Sequence, residues 1–357
     1  MNRKCDYTFF KNKKILVTGH NGFIGTWLTE WLLTLNAEVC GYSLEPPSSP
    51  NLFNILETKD DILDIKGDIR NKSLLSNAIS AFSPEIVFHL AAQPIVLDSY
   101  IDPSLTFDVN VNGTVNLLNE LRNSKNLNSI IIMTSDKVYR NNEWFYPYRE
   151  IDHLGGADPY SASKSCQDIV VNSFANSFFK KRNIMISSVR AGNVVGGGDF
   201  ANHRIIPDIV RSILQKGTVK LRNPDSIRPW QHVLEPIRAM LMLSMKGNAN
   251  NDLSGPWNFG PEQQSVRTVR ELTEKFIMEL GSGQYKVERD ISNLESSHLQ
   301  IDISKARTQL GWSPTLDFDR MLAMTSRWYK AFIENQQNLK ALTSNQIKEF
   351  ERISNNQ

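Results

Sequence analysis

The chain has 357 residues, of which 40% are hydrophobic and 22% charged, and its formal net charge is +2. This composition supports a globular core of one or two domains and excludes a disordered or fibrous protein. No long basic block indicates a nucleic-acid surface, and no apolar run reaches the length of a membrane span. The three scattered cysteines predict neither a disulfide framework nor a metal site. We expect a cytoplasmic protein, because the first residues carry no secretory signal.

Apolar strands alternate with amphipathic helices along residues 14–189. The short runs rich in Val and Ile are typical of strands buried on both faces of a parallel sheet. Apolar residues spaced three and four apart, as at Phe23, Trp27 and Trp31, predict helices that pack one face on that sheet. This order predicts an α/β fold with a doubly wound, Rossmann-type parallel sheet. The predicted strands are 14–18, 37–42, 62–66, 86–90, 130–134 and 184–189, and the predicted helices are 23–35, 72–82, 105–124 and 160–180.

The pattern changes beyond Arg190, where consecutive glycines at 196–198 and several prolines interrupt it. Shorter elements follow, such as a helix at 205–215 and a strand at 218–222. We expect residues 1–189 to form the strand–helix domain. Residues 190–343 would mainly form a smaller α/β lobe over the carboxyl ends of the strands, with some segments returning to the first domain. Residues 344–357 would form a polar tail that frays.

A glycine-rich turn lies between the first predicted strand and the first predicted helix. Its first glycine permits a tight turn, its second lets the backbone approach a pyrophosphate, and its third lets the helix pack closely. Alone, the pattern could mark only a tight turn. Between a strand and an amphipathic helix it predicts a dinucleotide site, with phosphates at the positive end of the helix. The predicted contacts are Gly19, Asn21, Gly22, Phe23, Ile24 and Gly25.

The second strand does not end in the acidic residue that would hold the adenine ribose. Ser43 lies at that place and Glu45 follows slightly late, so this position leaves the choice between NAD and NADP open. Asp68, followed by Ile69, is a second candidate, because a carboxylate there can meet an adenine amino group. The alternative is that Asp68 only caps the next helix.

Tyr160 and Lys164 are four residues apart on one predicted helix, so their side chains share a face. An ammonium group beside a tyrosine stabilises the phenolate and lowers the tyrosine pKa, which makes it a usable base. Alone, the spacing equally fits an ordinary exposed helix face. Ser135 follows a central strand, where ligands of α/β sheets bind, and can hydrogen-bond the hydroxyl that Tyr160 deprotonates.

These motifs resemble the extended short-chain dehydrogenase/reductases, the NAD-dependent epimerase/dehydratase family. Within that family, several strings are similar to the dehydratases that act on CDP-glucose, and the similarity runs from about Lys14 to Pro314. The main departures are Val138 and Arg140-Asn141, which bear on the exact substrate rather than on the chemistry. The matching strings lie at 134–139, 142–144, 148–150, 190–199, 204–208, 227–233, 257–261 and 310–314.

The resemblance implies an NAD-dependent lyase of deoxysugar biosynthesis that converts CDP-glucose to its 4-dehydro-6-deoxy derivative. The sugar would be oxidised at carbon four, lose water across carbons five and six, and receive the hydride at carbon six. Tyr160 would take the carbon-four hydroxyl proton, and Asp136 would protonate the departing hydroxyl. Lys137 would act as a neutral base at carbon five or as a cation that stabilises the enolate. The alternative for Asp136 and Lys137 is a surface ion pair.

The resemblance also implies binding residues. Arginine suits a diphosphate because of its planar guanidinium, although each arginine could instead form a surface salt bridge. The implied catalytic residues are Ser135, Asp136, Lys137, Tyr160 and Lys164. The remaining cofactor contacts are Ser43, Asp68, Ile69, Leu90, Ala91, Ala92, Tyr160 and Lys164, and the substrate contacts are Gln93, Ser135, Asn193, Arg204 and Arg228.

We expect a homodimer, with a tetramer as an alternative, and no nucleic-acid or membrane partner. The helices at 105–124 and 160–180 carry apolar residues beyond what one sheet face can cover, and in the family these helices pair about a twofold axis. A monomer would result if residues 321–332 folded back over that surface. The apolar residues are Val109, Leu117, Leu121, Val170, Phe174 and Phe178.

Three other functions remain open. The chain could be a nucleotide-sugar epimerase or a dehydratase for another nucleotide sugar. Asp136 and Lys137 argue against a simple epimerase, which needs no acid for a leaving hydroxyl. A non-catalytic nucleotide-sugar-binding protein is disfavoured by the intact Ser135, Tyr160 and Lys164.

Overall fold

A parallel sheet of seven strands forms the centre of the computed structural model, which describes residues 6–248, 251–288 and 299–356. The strands are β1 (Lys14–Thr18), β2 (Glu38–Ser43), β3 (Leu63–Lys66), β4 (Ile86–His89), β5 (Ser129–Met133), β6 (Met185–Arg190), β7 (Val194–Val195), β8 (Val219–Leu221), β9 (Ile227–Arg228), β10 (Gln231–His232), β11 (Gly255–Asn258), β12 (Arg267–Thr268) and β13 (Tyr285–Val287). The central sheet has the order β11-β6-β5-β4-β1-β2-β3, and its neighbouring strands are all parallel. The predicted doubly wound fold is confirmed.

Helices cover both faces of this sheet. They are α1 (Phe23–Thr34), α2 (Leu52–Ile55), α3 (Lys72–Phe82), α4 (Val96–Ile101), α5 (Pro103–Phe107), α6 (Gly113–Leu121), α7 (Pro159–Phe174), α8 (Ile205–Leu214), α9 (Leu234–Gly247), α10 (Val269–Leu280), α11 (Phe318–Ile333) and α12 (Leu339–Ser354). Short 3-10 turns occur at Tyr7–Phe10, Thr58–Asp61, Asp136–Val138, Lys180–Arg182, Asn251–Leu253 and Gln263–Ser265, and π-helical turns at Asp108–Asn112, Ala175–Phe179 and Ala306–Leu310. In the part of the chain described, no helix is long and apolar enough to cross a membrane.

The core lies in two layers, one on each face of the sheet. Alternate residues of β5 enter opposite layers: Ile131 packs in the larger cluster, and Ile130 and Ile132 pack in the smaller one. All three side chains are fully buried. This alternation explains why β5 is apolar throughout, because both faces of a central parallel strand are covered.

Two predicted helices are interrupted. The helix predicted at 105–124 is α5, a π-helical turn over Asp108–Asn112 and then α6. The helix predicted at 160–180 ends as α7 at Phe174 and continues as a second π-helical turn. The added residue of a π turn is a backbone adjustment that apolar periodicity does not reveal.

Segments beyond residue 190 return to the central sheet. Strand β11 pairs with β6, and α9 packs against β5 and β6. Three small two-stranded sheets, β7–β10, β9–β12 and β8–β13, lie outside the central sheet. Residues before and after 189 therefore share one core, although the sequence pattern changes there. The domain assignment stays a prediction.

The end of the chain is ordered, and the expectation that it frays from Ser344 is wrong for the described residues. Helix α12 buries Ile347 and Phe350 completely. The Phe350 ring meets the Trp31 ring edge-on at 5.7 Å, and Trp31 Nε1 donates a 2.5 Å hydrogen bond to Glu351. The apolar residues of this polar segment share one helix face, which docks on α1 and α11.

Part of the argument for a dimer is also wrong. Leu117 and Leu121 are fully buried in the core beneath the sheet, so they leave no surplus apolar surface. The fold-back of residues 321–332 is wrong too, because that segment lies in α11, which packs against α10 and α12. Of the predicted residues, Phe178 is exposed, and other apolar side chains are exposed beside it, including Ile101 and Ile169, which are 83% and 56% exposed.

Candidate active site

The glycine turn between β1 and α1 forms a cradle that only glycine permits. Gly19 has φ of +72°, and a Cβ there would stand 2.6 Å from the Ala91 nitrogen. A Cβ on Gly25 would stand 2.1 Å from the Gly19 oxygen. Gly22 caps α1 without a side-chain hydrogen bond, so backbone amides line the turn. Such amides at a helix N-terminus fit a pyrophosphate.

Asn21 and Ser43 brace this turn against the end of β2. The Ser43 hydroxyl donates to Asn21 Oδ1 at 2.7 Å, and Asn21 Nδ2 donates to the Leu44 oxygen at 2.6 Å. These bonds orient the turn. The sequence predicts that both residues contact the cofactor, but it does not reveal that they bind each other.

Asp68 is held by Arg70. Its carboxylate accepts from the Arg70 backbone nitrogen at 2.8 Å and from the Arg70 guanidinium at 2.7 Å. The guanidinium lowers the pKa of Asp68. The alternative role of Asp68 as the cap of α3 is wrong, because Asn71 caps that helix through Leu74.

The segment after β4 closes the other side of the cradle. Leu90, Ala91 and Ala92 are partly exposed at the carboxyl edge of the sheet, next to Gly19. Ala91 is fixed by its backbone nitrogen, which donates to the Thr18 hydroxyl at 3.3 Å. Ile69 is buried, at 5% exposure, where a Cβ on Gly113 would touch it.

Ser135 and Asp136 begin the 3-10 turn after β5. The Ser135 hydroxyl accepts from the Lys137 nitrogen at 3.2 Å and donates to Asp136 Oδ1 at 3.1 Å. Asp136 is only 2% exposed, and Asn193 Nδ2 donates to its Oδ2 at 3.4 Å. Burial raises the pKa of Asp136, although the positive charges of Lys137 and Arg228 oppose this. The alternative of an Asp136–Lys137 surface ion pair is therefore wrong.

Tyr160 and Lys164 lie in the first turns of α7, which Asp158 caps through the Ser161 nitrogen at 2.9 Å. Tyr160 is 9% exposed and Lys164 is 3% exposed, so an ordinary exposed face is excluded. Lys164 donates to the Met133 oxygen at 3.3 Å and to Gln167 Oε1 at 2.9 Å.

The pKa of Tyr160 shifts upward, which is opposite to the direction that the sequence predicts. Burial raises the pKa of Tyr160 to about 12, while its hydrogen bond with Ser135 opposes that rise. Burial lowers the pKa of Lys164 to about 7, and the nearby charge of Asp168 opposes that fall. The loss of solvent therefore outweighs the attraction between the Lys164 ammonium and a Tyr160 phenolate that the four-residue spacing suggests.

Two arginines and a glutamine complete the surroundings. Arg204 donates to Asp199 at 3.0 Å, and its charge opposes the rise that burial causes in the pKa of Tyr160. Arg228 contributes a charge that acts on Asp136. Gln93 Nε2 donates to the Ile95 oxygen at 2.9 Å, whereas its Oε1 has no partner among the described residues. The structure thus brings the proposed catalytic and substrate residues to the carboxyl edge of the sheet.

Sequence reasoning missed the buried ion pair beneath this site. Asp168 accepts from Arg190 at 2.9 Å, from Ser188 at 2.6 Å and from Thr134 at 3.2 Å. It ties α7 to the ends of β5 and β6. The sequence did contain a signal for a role of Asp168, because this residue follows Lys164 by one helical turn and lies on the helix face of Tyr160.

Residues 16–325 match the GDP-mannose 4,6-dehydratase family. The chain belongs to this family. It is also 42% identical to CDP-glucose 4,6-dehydratase of Salmonella typhimurium over 93% of this chain and 94% of the relative. A probable dTDP-glucose 4,6-dehydratase of Sinorhizobium fredii is 26% identical over 88% of this chain and 92% of the relative. The predicted membership of the epimerase/dehydratase group is confirmed.

Solved structures of related enzymes share the fold. The dTDP-glucose 4,6-dehydratase of Streptomyces venezuelae, solved with NAD bound, superposes with a TM-score of 0.76 at 24% identity, covering 91% of this chain and 99% of that one. A UDP-glucose 4-epimerase of Stenotrophomonas maltophila gives a TM-score of 0.79 at 20% identity, covering 90% and 99%. The fold of the family therefore does not separate dehydration from epimerisation, and the site must do so.

Proposed function

We propose that the chain is an NAD-dependent dehydratase that converts CDP-glucose to CDP-4-dehydro-6-deoxyglucose. The observation that carries this proposal is the buried carboxyl of Asp136 beside Ser135 and Tyr160. An epimerase needs only the tyrosine and lysine, whereas elimination needs an additional acid. The 42% identity to the Salmonella CDP-glucose enzyme supports the choice of nucleotide.

The oxidation is assigned to Tyr160. Ser135 would hydrogen-bond the carbon-four hydroxyl while Tyr160, as a phenolate, takes its proton. The ammonium of Lys164 would stabilise that phenolate before the proton is transferred. NAD, when bound, would accept the hydride from carbon four and later return it to carbon six. The raised pKa of Tyr160 is the reason that a cation close to it is needed.

The elimination is assigned to Asp136 and Lys137. The carbon-five hydrogen leaves as a proton, the carbon-six–oxygen bond breaks, and Asp136 donates its proton so that water departs. Its raised pKa favours the protonated form that this step requires. Lys137, which is partly exposed, either removes the carbon-five proton or stabilises the enolate as a cation.

The glycine cradle is assigned to the cofactor pyrophosphate, and the segment after β4 to the nicotinamide side. The geometry fits, because Gly19 and Gly25 let the backbone of the turn pack so closely that a Cβ at either position would collide with neighbouring backbone atoms. Ser43, Asp68 and Ile69 are assigned to the adenosine half. Asp68 can accept from an adenine amino group with the carboxylate lone pairs that Arg70 leaves available.

The nucleotide sugar is assigned to the lobe side of the site. Arg204 and Arg228 would hold the diphosphate, with Arg204 exchanging part of its contact with Asp199 for phosphate oxygens. Gln93 Oε1 would accept from a hexose hydroxyl, since it lacks a partner among the described residues. Asn193 would act through Asp136, whose carboxylate it contacts.

A homodimer is part of this proposal. Exposed apolar side chains lie on α4, α5 and α7 and in the π-helical turn after α7, and a second copy would bury them. Light scattering should give a mass twice the 40.6 kDa of one chain, and Ile169→Asp should reduce that mass. A wild-type mass of one chain would reject the dimer. The exposed residues are Leu97, Tyr100, Ile101, Phe107, Ile169 and Phe178.

The function is tested by incubating the purified protein, supplied with NAD, with the glucose derivatives of CDP, dTDP, UDP and GDP. The absorbance of the 4-dehydro-6-deoxy sugar after addition of alkali measures product. CDP-glucose should react fastest, and Tyr160→Phe should form no product. Preference for another nucleotide would overturn the substrate, and a 4-epimer of glucose as product would overturn the dehydration.

A further inference from the structure

A chain of buried polar groups runs from Lys164 to the base of the glycine turn. Lys164 donates to Gln167 Oε1 at 2.9 Å, and Gln167 Nε2 donates to the Thr114 hydroxyl at 2.8 Å. His89 Nε2 lies 3.1 Å from the same hydroxyl, and His89 Nδ1 lies 2.6 Å from the Thr18 hydroxyl. Apart from Lys164, each of these side chains has no exposed surface. No step assigned above uses Gln167, Thr114 or His89.

The direction of each hydrogen bond in this chain follows from the chemistry. An ammonium only donates, so the atom of Gln167 that faces Lys164 must be its oxygen, and the amide nitrogen must face Thr114. The Thr114 hydroxyl donates to the Asn110 carbonyl at 2.8 Å. Its oxygen therefore accepts from both Gln167 and His89, which places the proton of neutral His89 on Nε2.

The other end of the chain is fixed in the same way. His89 Nδ1 accepts from the Thr18 hydroxyl, and the Thr18 oxygen accepts from the Ala91 nitrogen at 3.3 Å. Burial lowers the pKa of His89 to about 3, which keeps the ring neutral. Donors converge on Thr114 from both sides, so the chain cannot pass a proton from Lys164 to His89. These hydrogen bonds therefore fix the positions of the side chains and do not relay a proton.

We propose that Gln167 is a positioning residue for Lys164, whose ammonium it holds in the charged form and in a fixed direction beside Tyr160. The inference rests on the proposed function, because it takes Lys164 as the partner of Tyr160. A carboxamide supplies both the acceptor that an ammonium needs and the donor that the Thr114 oxygen accepts from. A hydrocarbon side chain would leave both groups unpaired, and a carboxylate would lose the bond to Thr114.

The inference makes opposite predictions for two substitutions. Asp168 on the same helix and His89 on β4 interact electrostatically with Lys164. Arg190 on β6 is paired with Asp168, and Asp136 after β5 acts on Tyr160, one turn before Lys164. Gln167→Met removes an acceptor from the ammonium, so Lys164 loses its proton at lower pH. Gln167→Glu adds a negative charge, so Lys164 keeps its proton to higher pH.

The test is the pH profile of kcat/KM for CDP-glucose, measured with enzyme loaded with NAD. The limb that reports the Lys164 pKa should move to lower pH by roughly half a unit or more in Gln167→Met and to higher pH in Gln167→Glu. Loss of packing cannot produce shifts of opposite sign. Limbs that stay unchanged, or that move in the same direction, would overturn the inference.

Matched variants separate this outcome from others. Gln346 is equally buried but lies in α12, where it donates to the Met324 oxygen, so Gln346→Met should leave the limb unchanged. If Gln167→Met does not fold, Thr114→Val frees the Gln167 amide and should shift the limb to lower pH by a smaller amount. An active Tyr160→Phe would contradict the proposed site itself. An inactive Tyr160→Phe with unmoved Gln167 variants would contradict the positioning role alone.

Discussion

Gly192 lies directly against the carboxylate of Asp136: a Cβ on Gly192 would stand 1.9 Å from Asp136 Oδ2. No contact that close is tolerated, so any side chain at this position must displace the carboxyl. The next residue, Asn193, donates to the same oxygen. The turn after β6 thus shapes the position of the proposed acid.

Gly192→Ala should lower kcat by roughly tenfold to a hundredfold, since a general acid contributes about that much or more and would be displaced rather than removed. Reduction of bound NAD in a single turnover should fall less, because Tyr160 is not contacted. Gly217→Ala is the control, as a Cβ there makes only ordinary contact at 3.5 Å. Equal loss in both half-reactions would indicate a general distortion of the site.

Lys137→Ala should separate oxidation from elimination, because only elimination involves this residue. Exchange of the carbon-five hydrogen into deuterated water should slow far more than the reduction of bound NAD. Mass spectrometry of recovered substrate and product measures the exchange, and stopped-flow absorbance measures the reduction. If both slow equally, Lys137 positions the substrate or cofactor instead.

The ionisation of Glu235 should lower the free energy of unfolding as the pH rises from about 4.5 to about 7. Burial raises the pKa of this carboxyl to about 7, while its Oε1 accepts from the Thr315 and Leu316 nitrogens at 2.7 Å. The folded state therefore binds more protons than the unfolded state in this window, and its stability falls as Glu235 ionises.

Glu235→Gln keeps an acceptor for both nitrogens and cannot ionise. Its free energy of unfolding, measured in urea, should fall less between pH 5 and pH 8 than that of the wild type. The difference between the two decreases should be on the order of 3 kcal/mol at most. Glu279→Gln on the exposed face of α10 should follow the wild type. Parallel curves for all three proteins would contradict the assignment.

Phe350→Ala should destabilise the protein by about 3–5 kcal/mol, because it empties a fully buried site against Trp31. Lys348→Ala, on the exposed face of the same helix, should change the free energy of unfolding by less than about 0.5 kcal/mol. Urea denaturation compares the two. A neutral Phe350→Ala would mean that α12 does not dock in solution.

The elements that the sequence predicts best are those with a local signal. Strand β1 and helix α3 begin and end where predicted, because apolar periodicity, a glycine and the Asn71 cap define their limits. The glycine cradle and the Tyr160–Lys164 face are equally local patterns. The docking of α12 was missed, because two buried apolar residues in a polar segment give a weak signal.

The parts of the site that could not be predicted depend on contacts between distant segments. Gln167 reaches Thr114, and Asp136 meets Asn193, only after the strands have been ordered in the sheet. The sequence also did not predict that Asp68 pairs with Arg70, although only one residue separates the two. The direction of the Tyr160 pKa was wrong because a sequence pattern reports neighbours and not the loss of solvent.

The most direct test of the proposed function follows a deuterium atom placed at carbon four of CDP-glucose. If Tyr160 starts an oxidation, and elimination and reduction complete it in the same site, mass spectrometry should find the deuterium at carbon six of the 4-dehydro-6-deoxy product. Deuterium that remains at carbon four of a 4-epimer would show an epimerase. Product without deuterium would show that the hydride does not stay in the site, and either result would contradict the dehydratase.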